Sequence, residues 1–164
     1  MCLSTKILSS ILFLLHCFFL LFYLTFVLMN TTKKLLKITF LGTGTSQGVP
    51  VIACDCDVCI SQNPKDKRLR SSIMIEIEDN IFVIDTGPDF RQQMLRESVT
   101  KLDAVLYTHA HKDHVAGLDD IRPYCYKQGA LQIYAQSRVM GALEKRYDYI
   151  FAKENRYPGA AHVV

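Results

Sequence analysis

What this sequence lacks narrows it before any motif is read. No charge sign dominates: 19 Lys and Arg face 16 Asp and Glu, a formal net charge of +3, too small to argue by itself for a nucleic-acid partner. Internal repeats and low-complexity linkers are absent, which removes stacked-repeat arrays and loosely tethered multidomain chains. A complete nucleotide fingerprint is absent too. Gly42-Thr43-Gly44-Thr45-Ser46-Gln47-Gly48-Val49-Pro50 is Gly-rich, but it satisfies neither the Walker nor the dinucleotide pattern, so a structural turn is its default reading.

Charge is also missing locally. From Ile7 to Leu28 there is no Asp, Glu, Lys or Arg, and the polar interruptions are Ser9, Ser10, His16 and Thr25. A bilayer-spanning helix needs about 20 apolar residues, so residues 1–28 read as a hydrophobic segment able to cross a membrane. A secretory signal fits less well, since its apolar core is shorter and no small-residue cleavage site follows. Lys6 precedes the run and Lys33, Lys34 and Lys37 follow it, which leaves the domain after it on the cytoplasmic side. The alternative is a start at Met29, which would make the chain a soluble cytoplasmic protein and residues 1–28 an upstream extension.

What remains, residues 35–164, is long enough for one domain. Its strand signals are Leu35–Leu41, the alternation of Ile73, Ile75 and Ile77 with Met74, Glu76 and Glu78, a hairpin turn at Asp79-Asn80 leading into Ile81–Ile84, the apolar run Leu102–Tyr107, and Leu131–Ala135. Helical spacing appears over Phe90–Val99 and Val115–Tyr126, and Ser137 is a candidate cap for a helix running towards Tyr149. Lys65, Lys67, Arg68 and Arg70 crowd the stretch between the first two strands. A solvated face is the first reading of that run, with contact to an anionic substrate as the alternative.

Cysteines stand at 2, 17, 54, 56, 59 and 125. Cys54, Cys56 and Cys59 fall within six residues, a spacing that can fold round one tetrahedral ion with a fourth ligand from elsewhere. A reducing cytoplasm disfavours a disulfide there, and no thioredoxin-like context supports a redox pair. Structural zinc is therefore the expectation. Asp85, which closes an apolar strand before Thr86-Gly87-Pro88, can stabilise the turn.

The densest chemistry lies in Thr108-His109-Ala110-His111-Lys112-Asp113-His114, directly after the apolar run. If the strand direction persists, its period of two puts His109, His111 and Asp113 on one side, with His114 close behind. Such donors suit zinc, manganese or iron, and four of them exceed what a single catalytic ion with an open position needs. Two ions are the expectation. Singly, each residue has a plainer reading, a surface histidine or an aspartate capping a helix; clustered, they do not.

His109-x-His111-x-Asp113-His114 resembles the signature of the metallo-β-lactamase superfamily, and Phe40-Leu41-Gly42-Thr43-Gly44 with Pro50 is similar to the opening of its phosphodiesterase and tRNA-processing branches. Gly48-Val49-Pro50 ahead of Cys54-x-Cys56-x-x-Cys59 narrows the resemblance to the PhnP branch. The resemblance implies an α+β fold, the αββα sandwich, of which this chain would supply the N-terminal half only, preceded by the hydrophobic helix. It implies two divalent ions, Zn or Mn, with His109 and His111 on one, Asp113 and His114 on the other, Asp113 as the catalytic residue, and further ligands in a second half. It also implies a structural zinc on the three cysteines, for which His162 matches no motif, and a supporting role for Asp85 behind the metal ligands.

The implied activity is phosphodiester hydrolysis on a cyclic or otherwise small substrate, with homodimers an open question and nucleic acid the less favoured ligand. A chain with two ligands per ion and an unpaired sheet face is expected to be inactive alone. The alternatives are a tRNA 3′-end endonuclease or another hydrolase of the superfamily and, outside enzymes, a zinc-stabilised remnant without catalysis.

Overall fold

Alternation of apolar and polar side chains builds the sheet. In the computed structural model, which describes residues 35–152, 154 and 159–164, Leu36–Gly42 form β1, Ser72–Ile77 β2, Asn80–Ile84 β3, Ala104–Tyr107 β4 and Gln132–Ala135 β5. They make one five-stranded sheet in the order β1-β2-β3-β4-β5. β1, β2 and β3 pair antiparallel, whereas β3, β4 and β5 are parallel. Parallel neighbours need a crossover. Phe90–Arg96 supplies it between β3 and β4, and Lys112–Val115 with Arg122–Gln128 supply it between β4 and β5.

Those helices are named in chain order with the others: α1 Asp57–Ile60, α2 Phe90–Arg96, α3 Lys112–Val115, α4 Arg122–Gln128, α5 Ser137–Arg146 and α6 Asp148–Phe151. Short 3-10 turns occupy Pro64–Asp66 and Leu118–Ile121. The expected helix over Val115–Tyr126 is thus broken, because Gly117 ends the first turn and Pro123 opens α4, where a missing N–H does no harm. Ser137 is not a cap. Gln136 holds that position in an extended conformation, and Ser137 is already helical.

The register assigns the two faces of the sheet. Leu41, Met74, Val83, Val105, Tyr107 and Ile133 point to the helices and are buried with Phe90, Leu118, Ile121, Leu143 and Ile150. On the other face Leu36, Ile38, Phe40, Leu106 and Tyr134 stay exposed, Phe40 at 65%. A sheet apolar on both faces is the pattern of a strand layer covered on both sides. Residues 162–164 run beside β5: Leu131 donates to His162 O at 2.8 Å and Ile133 to Val164 O at 3.0 Å.

Leu35–Val164 form one compact unit. The hydrophobic stretch at residues 7–28 lies outside the described residues. Among those that are described, no helix is long and apolar enough to cross a membrane.

Candidate metal centre

β3 and β4 are parallel, so their carboxyl ends lie side by side, the place where open sheets of this kind present ligand-binding residues. Asp85 leaves the end of β3 and Thr108 the end of β4. Asp85 is 4% exposed and sits at φ +65°, a left-handed conformation that costs a non-glycine residue roughly 1 kcal/mol or more. The surroundings hold it there. Its N–H donates to Leu106 O at 2.9 Å, and Ser72 Oγ donates to its carbonyl at 2.9 Å.

The Asp85 carboxylate then gathers three donors. Thr108 N reaches Oδ1 at 2.8 Å, Thr108 Oγ1 reaches Oδ2 at 2.6 Å, and His114 Nδ1 reaches Oδ2 at 2.7 Å. An ionised carboxylate only accepts, so His114 carries its proton on Nδ1. Thr108 Oγ1 has spent its hydrogen on Asp85, so it accepts from His109 Nδ1 at 2.9 Å. One carboxylate therefore fixes both imidazoles in the tautomer that leaves Nε2 as a lone pair, directly for His114 and through Thr108 for His109.

Those lone pairs show what the site is shaped for. His114 Nε2 lies 3.2 Å from Asp113 Oδ2, so a neutral His114 turns a lone pair towards a carboxylate oxygen. A cation there reconciles them, and the donor set of imidazole and carboxylate suits zinc or manganese. Ligand atoms of Asp85, His109 and His114 lie within 4.8 Å of one another. The His109 ring centroid is 4.0 Å from that of His114 and 4.8 Å from that of His111.

The strand does not persist through the motif as expected. β4 stops at Tyr107, His111 is the extended residue ahead of α3, and Asp113 is already in that helix. A turn and the start of a helix, not a period of two, set the geometry: His109 and His114 converge with Asp85, Asp113 reaches His114, and His111 stands against the His109 ring outside the convergent group. Two glycines permit the approach. A Cβ on Gly87 would stand 2.2 Å from Asp113 O, and one on Gly117 would stand 2.3 Å from Gly87 O. From the other side Arg146 Nη1 donates to Ala110 O at 2.6 Å, pinning the backbone between His109 and His111. Thr108 and Arg146 escape a reading of the sequence: the first adjoins the motif without announcing a role, and the second is distant in the chain.

The three cysteines make a second cluster, with sulfurs within 4.8 Å of one another. Cys54 Sγ is 3.4 Å from Cys56 Sγ, and Val51 N donates to Cys59 Sγ at 3.3 Å. The backbone N–H of Cys59, helped by the thiols of Cys54 and Cys59, draws the Cys56 thiol below its ordinary value. Cys59 moves up, because although Val51 N–H favours its thiolate, the neighbouring sulfurs and burial oppose it. His162 is not among the residues of this cluster.

The family described as "Beta-lactamase superfamily domain" matches residues 80–164, just over half of the chain and the part that carries Asp85 and the histidine motif. The chain belongs to the metallo-β-lactamase superfamily. A structure described as a new diphosphatase from the PhnP family is similar to it, at 45% identity and a TM-score of 0.68 over 71% of this chain and 49% of that one. Zinc-bound PqqB from Methylobacterium extorquens shares the fold at 23% identity and a TM-score of 0.63, over 79% of this chain and 45% of that one. A protein from Porphyromonas gingivalis named octanoyltransferase is 46% identical over 125 residues, which are 76% of this chain but 25% of that protein. The chain thus spans about half or less of the length of these relatives. Within the superfamily, its five-stranded mixed sheet matches part of the fold.

Proposed function

We propose that this chain carries half of the catalytic centre of a metal-dependent phosphodiesterase of the PhnP type, acting on a cyclic or small phosphate ester. The observation that carries the reading is the position of His114, whose Nδ1 is held by Asp85 at 2.7 Å and whose Nε2 meets Asp113 at 3.2 Å. The likeness to a PhnP-family diphosphatase favours phosphorus over β-lactam substrates.

In this reading His109 and His111 hold one divalent ion and Asp113 and His114 the other, with Asp113 as the catalytic carboxylate. When bound, such ions supply Lewis acidity, which activates water and neutralises charge on the phosphoryl oxygens. The chain's own residues do the rest. Asp85 keeps His114 turned with Nε2 outward, Thr108 does the same for His109, and Arg146 stops the loop between the histidines from swinging. Cys54, Cys56 and Cys59 hold a structural zinc apart from the reaction.

Two protein ligands per ion are fewer than the three that a catalytic zinc ordinarily has. The chain alone is therefore expected to bind active-site metal weakly and to turn over little, and a longer version with further ligands to hydrolyse the ester. The test is to assay this chain and a version extended to the length of its relatives, after loading with Zn or Mn, on a bis-aryl phosphodiester, a cyclic ribose phosphate, a precursor tRNA and a cephalosporin. Turnover confined to the first two substrates supports the proposal. Preferred cleavage of the tRNA or the cephalosporin, or equal turnover by the two lengths, sinks it.

A further inference from the structure

The basic run between β1 and β2 is split by the fold into two groups. Arg70 is committed to structure, since its Nη1 pairs with Asp89 Oδ1 at 2.9 Å and its Nε donates to Ser46 O at 2.8 Å. Lys65, Lys67 and Arg68 instead turn to a cavity of about 390 Å³ at the carboxyl end of β1, bounded by Leu41, Gly42 and Thr43, and Arg96 enters it from the end of α2. That volume lies within the usual range for a small-molecule site. No carboxylate lines it. Asp66 lies between the two lysines in the chain, and Glu97 Oε1 takes the Arg96 Nε at 2.7 Å.

Surface lysines alone would say little, but this wall is built. Gly44 N donates to Leu69 O at 2.7 Å, and Val49 and Arg68 exchange two backbone bonds at 2.8 Å. A Cβ on Gly42 would stand 1.9 Å from Arg70 O, so β1 presses directly on the backbone of the basic segment. Arg96 Nη2 donates to Leu41 O at 2.9 Å, which fixes the guanidinium over the strand end. Arg68 Nε donates to Lys65 O at 3.2 Å, leaving its two terminal nitrogens for a ligand. Lys65, Lys67 and Arg68 are the uncommitted cations of this wall, and Arg96, held by Glu97 and Leu41 O, adds only its remaining Nη1 donors; on a fixed backbone they meet the demand of a compact, multiply charged oxyanion.

We propose that Lys65, Lys67, Arg68 and Arg96 form a binding pocket for a phosphate-bearing anion, separate from the metal centre. β1, β3 and β4 reach the same end of the sheet, and at about 4.8 Å per strand the pocket is roughly 10 to 14 Å from Asp85 and Thr108. The phosphate it holds is therefore a different one from any that His109 and His114 serve. The short run of cations, Lys65 to Arg68, spans one compact group, pyrophosphate-like or a phosphate monoester, and not the length of an extended nucleic-acid strand.

The test is titration of the full chain with pyrophosphate, followed by amide chemical shifts and calorimetry at low and moderate salt. Saturable binding that moves residues 42–44, 64–69 and 96, persists in a His109→Ala/His111→Ala variant and weakens at least tenfold in Lys65→Ala/Lys67→Ala supports the pocket. Arg68→Lys, which keeps the charge but loses the two free terminal nitrogens, is expected to weaken binding to a lesser degree. Shifts confined to the histidine motif, equal affinity in the lysine variant, equal displacement by chloride at matched ionic strength, or binding of an oligothymidylate without pyrophosphate would each overturn it. Because the histidine variant is part of the measurement, loss of the proposed hydrolase function leaves the outcome readable.

Discussion

Around His109 and His114 the polypeptide is pinned from several directions, whereas around Cys56 it is held mainly by its own turn. The histidine centre draws on β3, β4, the start of α3 and the end of α5, with Asp85, Thr108 and Arg146 making short hydrogen bonds to the donors or their backbone. The cysteine loop spans Cys54 to Cys59, its thiols are exposed or half-buried, and its bonds are local, running between residues 51 and 60: Val51 N–H to Cys59 Sγ, Cys54 N–H to Val51 O, Ile60 N–H to Cys56 O, and Cys54 Sγ to Cys56 Sγ. The difference is one of where the ordering energy comes from. A fold that has buried Leu41, Val83, Val105 and Phe90 can impose a strained φ on Asp85, while an exposed loop held by local bonds has more to gain from an ion.

The comparison breaks most visibly at Asp85. Asp85→Ala strands the Thr108 and His114 donors in a buried site and leaves a side chain poorly suited to positive φ. A loss of about 3 kcal/mol or more is expected in denaturant unfolding. Asp85→Asn tolerates the backbone but places an amide N–H₂ against a donor. The expectation is a smaller stability loss and metal affinity down by about 10- to 100-fold at the histidine centre, with the equivalent bound by the cysteines unchanged in a metal count. Loss of both equivalents together would erase the distinction between the two clusters. Next in size is Gly117→Ala, whose methyl meets Gly87 O and Phe90 Cβ. A cost of about 2 kcal/mol is expected from the overlap, read in the same unfolding experiment.

How much of this was legible in the sequence divides along the same line. The cysteine cluster could be read from spacing alone, because its members lie within one turn of chain. His109, His111, Asp113 and His114 were equally plain as residues, but the reason they meet was not: the strand ends at Tyr107, and the geometry depends on Gly87 packing on Asp113 O. Apolar alternation placed the strands to within a residue or two but assigned the faces of β2 the wrong way round: Met74, expected on the wet face, is buried against the helices, while Ile77 is 37% exposed on the other side. Tertiary pairing was silent. Nothing local marks Arg146 as the partner of Ala110 O or Thr108 as the link between Asp85 and His109. Nor could composition say that Arg70 serves Asp89 while Lys65 and Lys67 face a cavity.

Arg146 sharpens the contrast with a milder change. Arg146→Met keeps an unbranched apolar stem and removes the bond to Ala110 O. The loss is expected to be about 1 kcal/mol or less in stability, with a several-fold weaker affinity for the first divalent ion and no change at the cysteines. Removing ions with a chelator asks the same question of the other cluster. Amide exchange over residues 51–60 should accelerate by about tenfold or more, while β3 and β4 keep their protection. Equal acceleration in the sheet would mean that the cysteine loop supports the domain and is not merely attached to it.

The smallest effect is chemical. A thiolate and not a thiol attacks an alkylating reagent, and in the metal-free loop the Cys59 N–H and the flanking thiols favour the thiolate of Cys56, whereas Cys59 is pushed the other way by its sulfur neighbours and by burial. Near neutral pH iodoacetamide should therefore label Cys56 faster than Cys59 by a few-fold, read by mass spectrometry of the digested chain. The preference should shrink as the pH rises past the ordinary thiol value, because both sulfurs are then deprotonated. Zinc should slow the labelling of all three, since coordination draws electron density from the sulfur and lowers its nucleophilicity. Equal rates in the metal-free protein would show that the loop loses this arrangement without its ion, the cysteine turn then being ordered wholly by metal and the histidine centre by the fold.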